Sequence, residues 1–155
     1  MRTLKRFALC LLALFCCVLP VNAAAQSLAA EQQLNACYTL MTLSLSEGDF
    51  EAALDYADQC LEMDELLDDA LRADIYLKQG YALLYLQRTE EAQTALDACL
   101  ELLPGAADAM LLKLQACAAM GDAQGAREQA RAHLEAYPEQ TEVYSVLGEL
   151  LAAMG

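Results

Sequence analysis

The sequence predicts an all-α fold, a short solenoid of about three and a half stacked helical hairpins with seven helices. An amphipathic segment occurs three times, as GDFEAALDYADQCLEMD from Gly48, QRTEEAQTALDACLELLP from Gln87 and GDAQGAREQARAHLEAYP from Gly121. The interval from Ala92 to Ala126 equals that from Pro104 to Pro138, and no stretch alternates convincingly between polar and apolar residues as a half-buried strand does. One hairpin cannot cover its own apolar stripe, so each copy needs the surface of the next.

The start of the chain, over positions 1–25, has the layout of a secretory signal peptide. The basic start MRTLKR is followed by the apolar run FALCLLALFCCVL and by small residues at Ala23 and Ala25. The apolar run is shorter than the ~20 residues that span a bilayer. We therefore expect export to a periplasmic or extracellular site, with cleavage before Gln26 and a repeat domain over 26–155. Cleavage two residues earlier and a signal retained as an anchor are the alternatives.

The charge of the remaining chain limits its partners. After cleavage, 6 basic residues face 23 acidic ones, a formal charge of −17. This charge repels nucleic-acid phosphates and anionic membranes, so neither is expected as a partner. The same charge favours solubility, and no later apolar run is long enough for stable membrane insertion.

The first hairpin is expected to contain helices at about 28–46 and 50–64, and the second at about 70–86 and 89–103. In EEAQTALDACLELL, apolar residues three and four positions apart form one stripe. The step from Ala53 to Ala92 is longer by five positions than the step from Ala92 to Ala126, which indicates an insertion after Asp64. Pro104 is expected to end the fourth helix, because proline cannot donate the next backbone hydrogen bond.

The third hairpin and the final half repeat follow the same pattern, with helices at about 107–120, 123–137 and 140–154. Gly48 and Gly121, each followed by Asp, are expected to end one helix and start the next. Glycine adopts the left-handed conformation of a helix end, and aspartate accepts hydrogen bonds from the first amides of a helix. Pro138 is expected to end the sixth helix.

The period and the residue columns resemble the tetratricopeptide repeat family, whose units are about 34 residues long. The bulky first column holds Cys37, Tyr76, Met110 and Tyr144. The small column, where helices approach closely, holds Met41, Gly80, Leu114 and Gly148. The turn column holds Gly48, Gln87, Gly121 and Gly155. The resemblance covers nearly all of the chain after the signal. It implies a right-handed solenoid whose first helices line a concave groove, and a role in binding a protein or peptide.

The groove columns of this chain differ from one subgroup of the family, which grips peptide carboxylates with lysine. Tyr38, Leu77 and Leu111 stand where lysine would be needed, so a carboxylate clamp is not expected. The segment IYLKQGYALLYLQ is apolar around most of its circumference, which is more than one buried face requires. The candidate partner-binding residues of this groove are Tyr38, Leu77, Tyr81, Leu84 and Tyr85. The alternative is that they only pack against neighbouring helices.

The last predicted helix offers a second candidate surface. Apolar residues cover most of TEVYSVLGELLAAM, whereas a terminal helix normally has a polar outer face. We expect Val146 and Leu150 to mediate a homodimer or docking of another protein, and an imperfect cap is the alternative.

Four cysteines remain after cleavage. Cys37 and Cys60 are level in the first hairpin, so either a disulfide or two buried thiols is expected. Cys99 and Cys117 are offset by about two helical turns, so we expect them to stay unpaired.

No motif supports catalysis, a metal or a cofactor. His133 is the only histidine, and no nucleophile motif or phosphate loop accompanies it. The acidic segment EMDELLDDALRAD lacks the glycine turn of a calcium loop. The preferred interpretation is an exported, non-enzymatic scaffold, with a cell-envelope assembly as one setting for it. A self-associating structural protein is the second interpretation, and a ligand-processing enzyme, which no motif supports, is the third.

Overall fold

The computed structural model describes the backbone of residues 2–154 and the side chains of residues 25–154. The chain divides into two compact units, residues 1–36 and residues 37–155. Helix α1 (Arg2–Glu47) supplies the whole described part of the first unit and opens the second. Most of the predicted signal peptide lies outside the residues whose side chains are described, and its cleavage stays a prediction. Among the described residues, no helix has the length and hydropathy that a bilayer crossing requires.

The described residues form seven α-helices and contain no strand, so the predicted all-α class is confirmed. After α1 come α2 (Phe50–Glu62), α3 (Asp69–Tyr85), α4 (Thr89–Leu102), α5 (Ala107–Ala119), α6 (Ala123–Ala136) and α7 (Thr141–Ala153). The ends of α2 to α7 lie within two residues of their predicted positions. Helix α1 starts at Arg2, far earlier than the predicted residue 28. The alanine-rich stretch 23–30 favours helix immediately before that residue.

The turns between the two helices of each hairpin have the predicted chemistry. Gly48 and Gly121 have φ values of 79° and 74°, in the left-handed region that glycine adopts without steric cost. Asp49 and Asp122 then accept hydrogen bonds from the backbone N–H groups of the next helix. In the middle hairpin Gln87 takes the glycine position with φ 59°.

The predicted insertion forms the connection between α2 and α3. A 3₁₀ turn spans Asp64–Leu66, and Leu67 is buried behind it. The carboxylate of Asp68 accepts from the Leu71 N–H at 2.8 Å and caps α3. Arg72 forms an ion pair with Asp64 across the connection. The insertion therefore lengthens one link between hairpins while the helices keep the repeat pattern.

The core of the second unit follows the stacking of the hairpins. One buried cluster joins α2, α3 and α4 and contains Leu54, Ala82, Leu83, Ala92 and Ala95. A second joins α3, α4 and α5 and contains Ala73, Leu96, Cys99 and Ala109. A third joins α5, α6 and α7 and contains Met110, Leu114, Cys117, Ala126, Ala130, Leu134 and Val143. Each hairpin is covered by the next, as the solenoid prediction requires.

Candidate functional site

A groove lies between α3 and α5, the first helices of two successive hairpins. Its cavity of about 370 Å³ is lined by Leu77, Lys78, Tyr81, Asp108, Leu111, Leu112 and Gln115. We call it the α3–α5 groove. Because α3 and α5 also contact each other directly, both walls of the groove are fixed by helix packing. Two of the predicted partner-binding residues, Leu77 and Tyr81, line it.

A second hollow continues the groove toward the start of α3 and α5. It has a volume of about 240 Å³ and shares Leu77 and Asp108 with the α3–α5 groove. Ala70 and Ala73 on one side and Ala106 and Ala107 on the other give it narrow, apolar walls. The two hollows provide adjacent positions for more than one side chain of an extended ligand.

An aromatic cluster of Phe50, Tyr81 and Tyr85 meets the α3 wall of the groove at Tyr81. Phe50 stacks on Tyr85 with ring centroids 4.6 Å apart, and Tyr81 lies 4.7 Å from Tyr85. Tyr81 and Tyr85 are 36% and 59% exposed, so both keep surface for a partner. Interaction with the side chain of Tyr85, more than burial, raises the pKa of Tyr81. The sequence analysis did not identify Phe50 as part of the site. The feature that could have indicated it is the aromatic first residue of α2, since the equivalent helices α4 and α6 begin with Thr89 and Ala123.

Tyr38, also predicted as partner-binding, is held in a polar network. Its hydroxyl donates a 2.5 Å hydrogen bond to Asp74 Oδ2, and Lys78 Nζ lies 2.6 and 2.7 Å from the two carboxylate oxygens. Burial and then the bond to Asp74 raise the pKa of Tyr38. Burial lowers the pKa of Lys78, but Asp74 and Tyr38 offset this, so the pKa is raised overall. Tyr38 therefore links α1 to α3, and its hydroxyl donates to Asp74 and not to a binding partner.

Comparison with known proteins connects this geometry to a family. Residues 73–104, which include most of α3 and all of α4, match the sequence family described as tetratricopeptide repeat. The chain contains a tetratricopeptide repeat. This repeat contains three residues of the candidate site, Leu77, Tyr81 and Tyr85. No curated protein sequence matches the chain.

Solved structures extend the likeness from this repeat to more than three quarters of the chain. The second tetratricopeptide domain of human RPAP3, determined by NMR in complex with the HSP70 peptide SGPTIEEVD, has a TM-score of 0.65 and 17% identity. The match covers 78% of this chain and 97% of that domain. The TPR2B domain of yeast Sti1, in a complex with pHsp70, has a TM-score of 0.65 and 16% identity over 79% of this chain and 98% of that one. The predicted tetratricopeptide solenoid is thereby confirmed.

Leu84 differs from the other candidates of the tetratricopeptide repeat. It is partly buried and packs against the cluster that joins α2, α3 and α4. The alternative prediction, packing between neighbouring helices, describes its position. The exposed candidates of the repeat are therefore Tyr81 and Tyr85, whereas Leu77 is half-buried.

The final helix of the repeat array is more covered than its sequence indicates. Val143 is fully buried in α7, and Leu147 and Leu150 pack against the cluster of α5 and α6. Val146 is half-buried, and Tyr144 is the large apolar side chain of α7 that stays most exposed, at 58%. Leu150 thus serves the core of the array. Self-association through Val146 and Leu150 stays a prediction.

All four cysteines of the described repeats are buried free thiols. The disulfide considered between Cys37 and Cys60 is not formed in this structure, and the buried-thiol alternative describes both residues. Burial, with a smaller contribution from the charge of Cys37, raises the pKa of Cys60 to about 11. The Cys37 thiol points to Gln59 Oε1 at 3.7 Å. Because the pKa of Cys60 is this high, its thiol is a poor nucleophile and a poor metal ligand.

His133 has a structural position between two connections of the repeat array. It is buried, and its Nε2 lies 2.7 Å from Gln140 Oε1. Gln140 Nε2 donates to the Gly105 carbonyl at 2.9 Å. The ring of His133 also lies 5.0 Å from that of Tyr137. Among the described residues no three His, Cys, Asp or Glu side chains gather as metal ligands.

Proposed function

We propose that the protein is a non-enzymatic scaffold that binds a protein or peptide partner in the α3–α5 groove. The observation that carries this proposal is the groove itself, where Leu77, Tyr81 and Leu111 present apolar surface between two first helices. The similar RPAP3 and Sti1 domains are described in complexes with Hsp70-derived ligands. Their fold supports the same class of activity here, although their sequences are too different to transfer the ligand.

The aromatic cluster suits such a role because its rings are already positioned. Tyr85 is stacked on Phe50 and lies beside Tyr81, so these side chains lose little conformational freedom when a partner binds. Tyrosine also combines a large apolar surface with a hydroxyl that can pair at the rim of an interface. We therefore assign Tyr81 and Tyr85 the main contacts with the partner.

We further propose that the scaffold works after export, within an assembly of the cell envelope or outside the cell. The support is the basic, apolar and small-residue order of residues 1–25. The mature protein is expected to begin at Gln26. N-terminal sequencing of protein recovered from the exported fraction tests this, and a protein confined to the cell interior with its first residues intact would contradict it.

The binding proposal is tested by affinity purification of the tagged full chain from its host, followed by mass spectrometry. The double variant Tyr81→Ala/Tyr85→Ala is expected to lose the specific partner while its circular dichroism spectrum stays helical. Tyr144→Ala is the matched control, because it removes from α7 a tyrosine that is as exposed as Tyr85. The proposal is wrong if the double variant and the control recover the same partners in the same amounts.

A further inference from the structure

We infer that the α3–α5 groove selects a segment that pairs an apolar side chain with a nearby lysine or arginine, and that it disfavours acidic tails. This inference rests on the proposed function and names the chemistry of the partner. Three features of the groove support it: its apolar hollows, its net charge and its aromatic side.

The apolar part of the ligand follows from the lining of the groove. Leu77, Leu111 and Leu112 supply aliphatic surface around a cavity of about 370 Å³. A volume of this order accepts a large aliphatic or aromatic side chain together with part of its backbone. Burying such a side chain in the groove is the main source of affinity.

The cationic part of the ligand follows from the charges that line the two hollows. These charges are Asp74, Lys78 and Asp108. Lys78 is neutralised by Asp74, whose two carboxylate oxygens lie 2.6 and 2.7 Å from its Nζ. Asp108 is exposed, and no ion pair found among the described residues involves it. The side chains that line the two hollows therefore sum to a net charge of −1, carried by Asp108 in the first turn of α5, and this charge attracts a cation and repels a carboxylate.

The aromatic side of the groove favours the same ligand independently of Asp108. Tyr81 lines the groove and stands in the aromatic cluster with the more exposed Tyr85. The faces of aromatic rings attract lysine and arginine side chains through their quadrupoles. Cation-attracting groups thus stand on both walls of the apolar hollow, Asp108 on α5 and Tyr81 on α3.

The contrast with the RPAP3 domain makes the inference specific. The peptide in that complex, SGPTIEEVD, carries three acidic side chains. In this groove the single ammonium group, that of Lys78, is already bonded to Asp74 and lies 5.4 Å from the centre of the Tyr38 ring. An acidic tail would meet Asp108 without gaining a free cation, so this chain is expected to bind a different class of segment.

The test is a displayed library of random peptides, each about a dozen positions long, selected on the immobilised full chain, with the peptide SGPTIEEVD as the acidic probe. We expect the selected sequences to share an aliphatic or aromatic residue with lysine or arginine within about three positions, and to be depleted in acidic residues. Enrichment of acidic sequences, or binding of SGPTIEEVD as tight as that of the selected peptides, overturns the inference and leaves the proposed function standing. A selection without any enrichment overturns both.

Variants then assign the charge preference to the groove. Asp108→Asn is expected to weaken a selected cationic peptide about 2–5-fold at low salt, a difference that shrinks at about 0.5 M salt. Asp108→Lys is expected to reverse the selection toward acidic peptides. Asp55→Asn is the matched control, because it removes the same charge from a different groove, between α2 and α4, and should leave binding unchanged. Equal effects of Asp108→Asn and Asp55→Asn overturn the inference.

Discussion

Gly80 on α3 and Leu96 on α4 are in such close contact that a Cβ atom at position 80 would lie 2.6 Å from both Cγ and Cδ2 of Leu96. Leu96 is fully buried and cannot move into solvent. Gly148 occupies the same column of the last repeat, yet no atom lies within 4 Å of its added Cβ. The same residue type in the same column therefore has opposite structural consequences.

Gly80→Ala is expected to lower the free energy of unfolding by about 1–2 kcal/mol, because overpacking against Leu96 exceeds the gain in helix propensity. Gly148→Ala is expected to raise it by up to about 1 kcal/mol, because the helix gains alanine propensity without a clash. Urea unfolding followed by circular dichroism measures both. Changes of the same sign in the two variants would contradict the packing described here.

The turn column gives a second prediction, at Gln87. Its φ of 59° places a side chain in the left-handed region, which costs ~1 kcal/mol or more for residues other than glycine. Gln87→Gly is expected to raise the free energy of unfolding by about 0.5–1 kcal/mol. The reciprocal change Gly121→Ala is expected to lower it by about 1 kcal/mol, since only backbone strain is added at an open site. Thermal unfolding of both variants provides the check, and a stabilising Gly121→Ala would refute the strain argument.

The bond between Tyr38 and Asp74 gives a third prediction. Tyr38→Phe removes a hydrogen bond to a carboxylate and leaves the ring in place, so the free energy of unfolding should fall by about 1 kcal/mol. The control Tyr144→Phe alters an exposed hydroxyl and should change stability by less than about 0.5 kcal/mol. Both are measured by urea unfolding. Indistinguishable midpoints for the two variants would show that the bond to Asp74 contributes nothing.

The buried thiol of Cys60 predicts a loss of stability at alkaline pH. Its pKa is raised from 9.0 to about 11, so the unfolded chain releases this proton before the folded chain does. The stabilisation is complete below about pH 9 and disappears as the pH rises toward 11. In reducing buffer the unfolding free energy of the native protein should fall between about pH 9 and about pH 11, and Cys60→Ala should make that fall smaller by on the order of 2 kcal/mol.

Cys37→Ala is the control for the alkaline measurement. Burial is the larger cause of the raised Cys60 pKa and the charge of Cys37 the smaller, so this variant should keep most of the alkaline loss. The comparison uses the slope of stability against pH, since either truncation also changes packing. Identical slopes for the native protein and Cys60→Ala would contradict the assignment.

The repeat made most of the fold predictable. The repeated segments predict where helices begin and end, because Gly48, Gly121 and the aspartates that follow them are chemically suited to those turns. The start of α1 was not predictable from the repeat, since that segment precedes the first hairpin. The helix propensity of the alanine-rich stretch 23–30 favours helix before residue 28, and a periodicity argument does not take propensity into account.

The candidate site was predictable only in part. Leu77, Tyr81 and Tyr85 were found because an apolar helix with tyrosines stands out from an amphipathic pattern. Phe50 was not predicted as part of the site. Its contact with Tyr85 joins the start of α2 to the end of α3, and the repeat period does not indicate such a contact. The packing of Leu150 against the cluster of α5, α6 and α7 was not predictable, because sequence alone does not show how α7 is rotated on α5 and α6.

The chain from His133 through Gln140 to the Gly105 carbonyl makes two connections of the array depend on each other. The α2–α3 connection has no such partner in the described contacts; its turn is fixed locally by Arg72 and Asp64. Foreign segments could thus be grafted between the first two hairpins at little cost. The same graft beside Gly105 would disturb a loop one full repeat away.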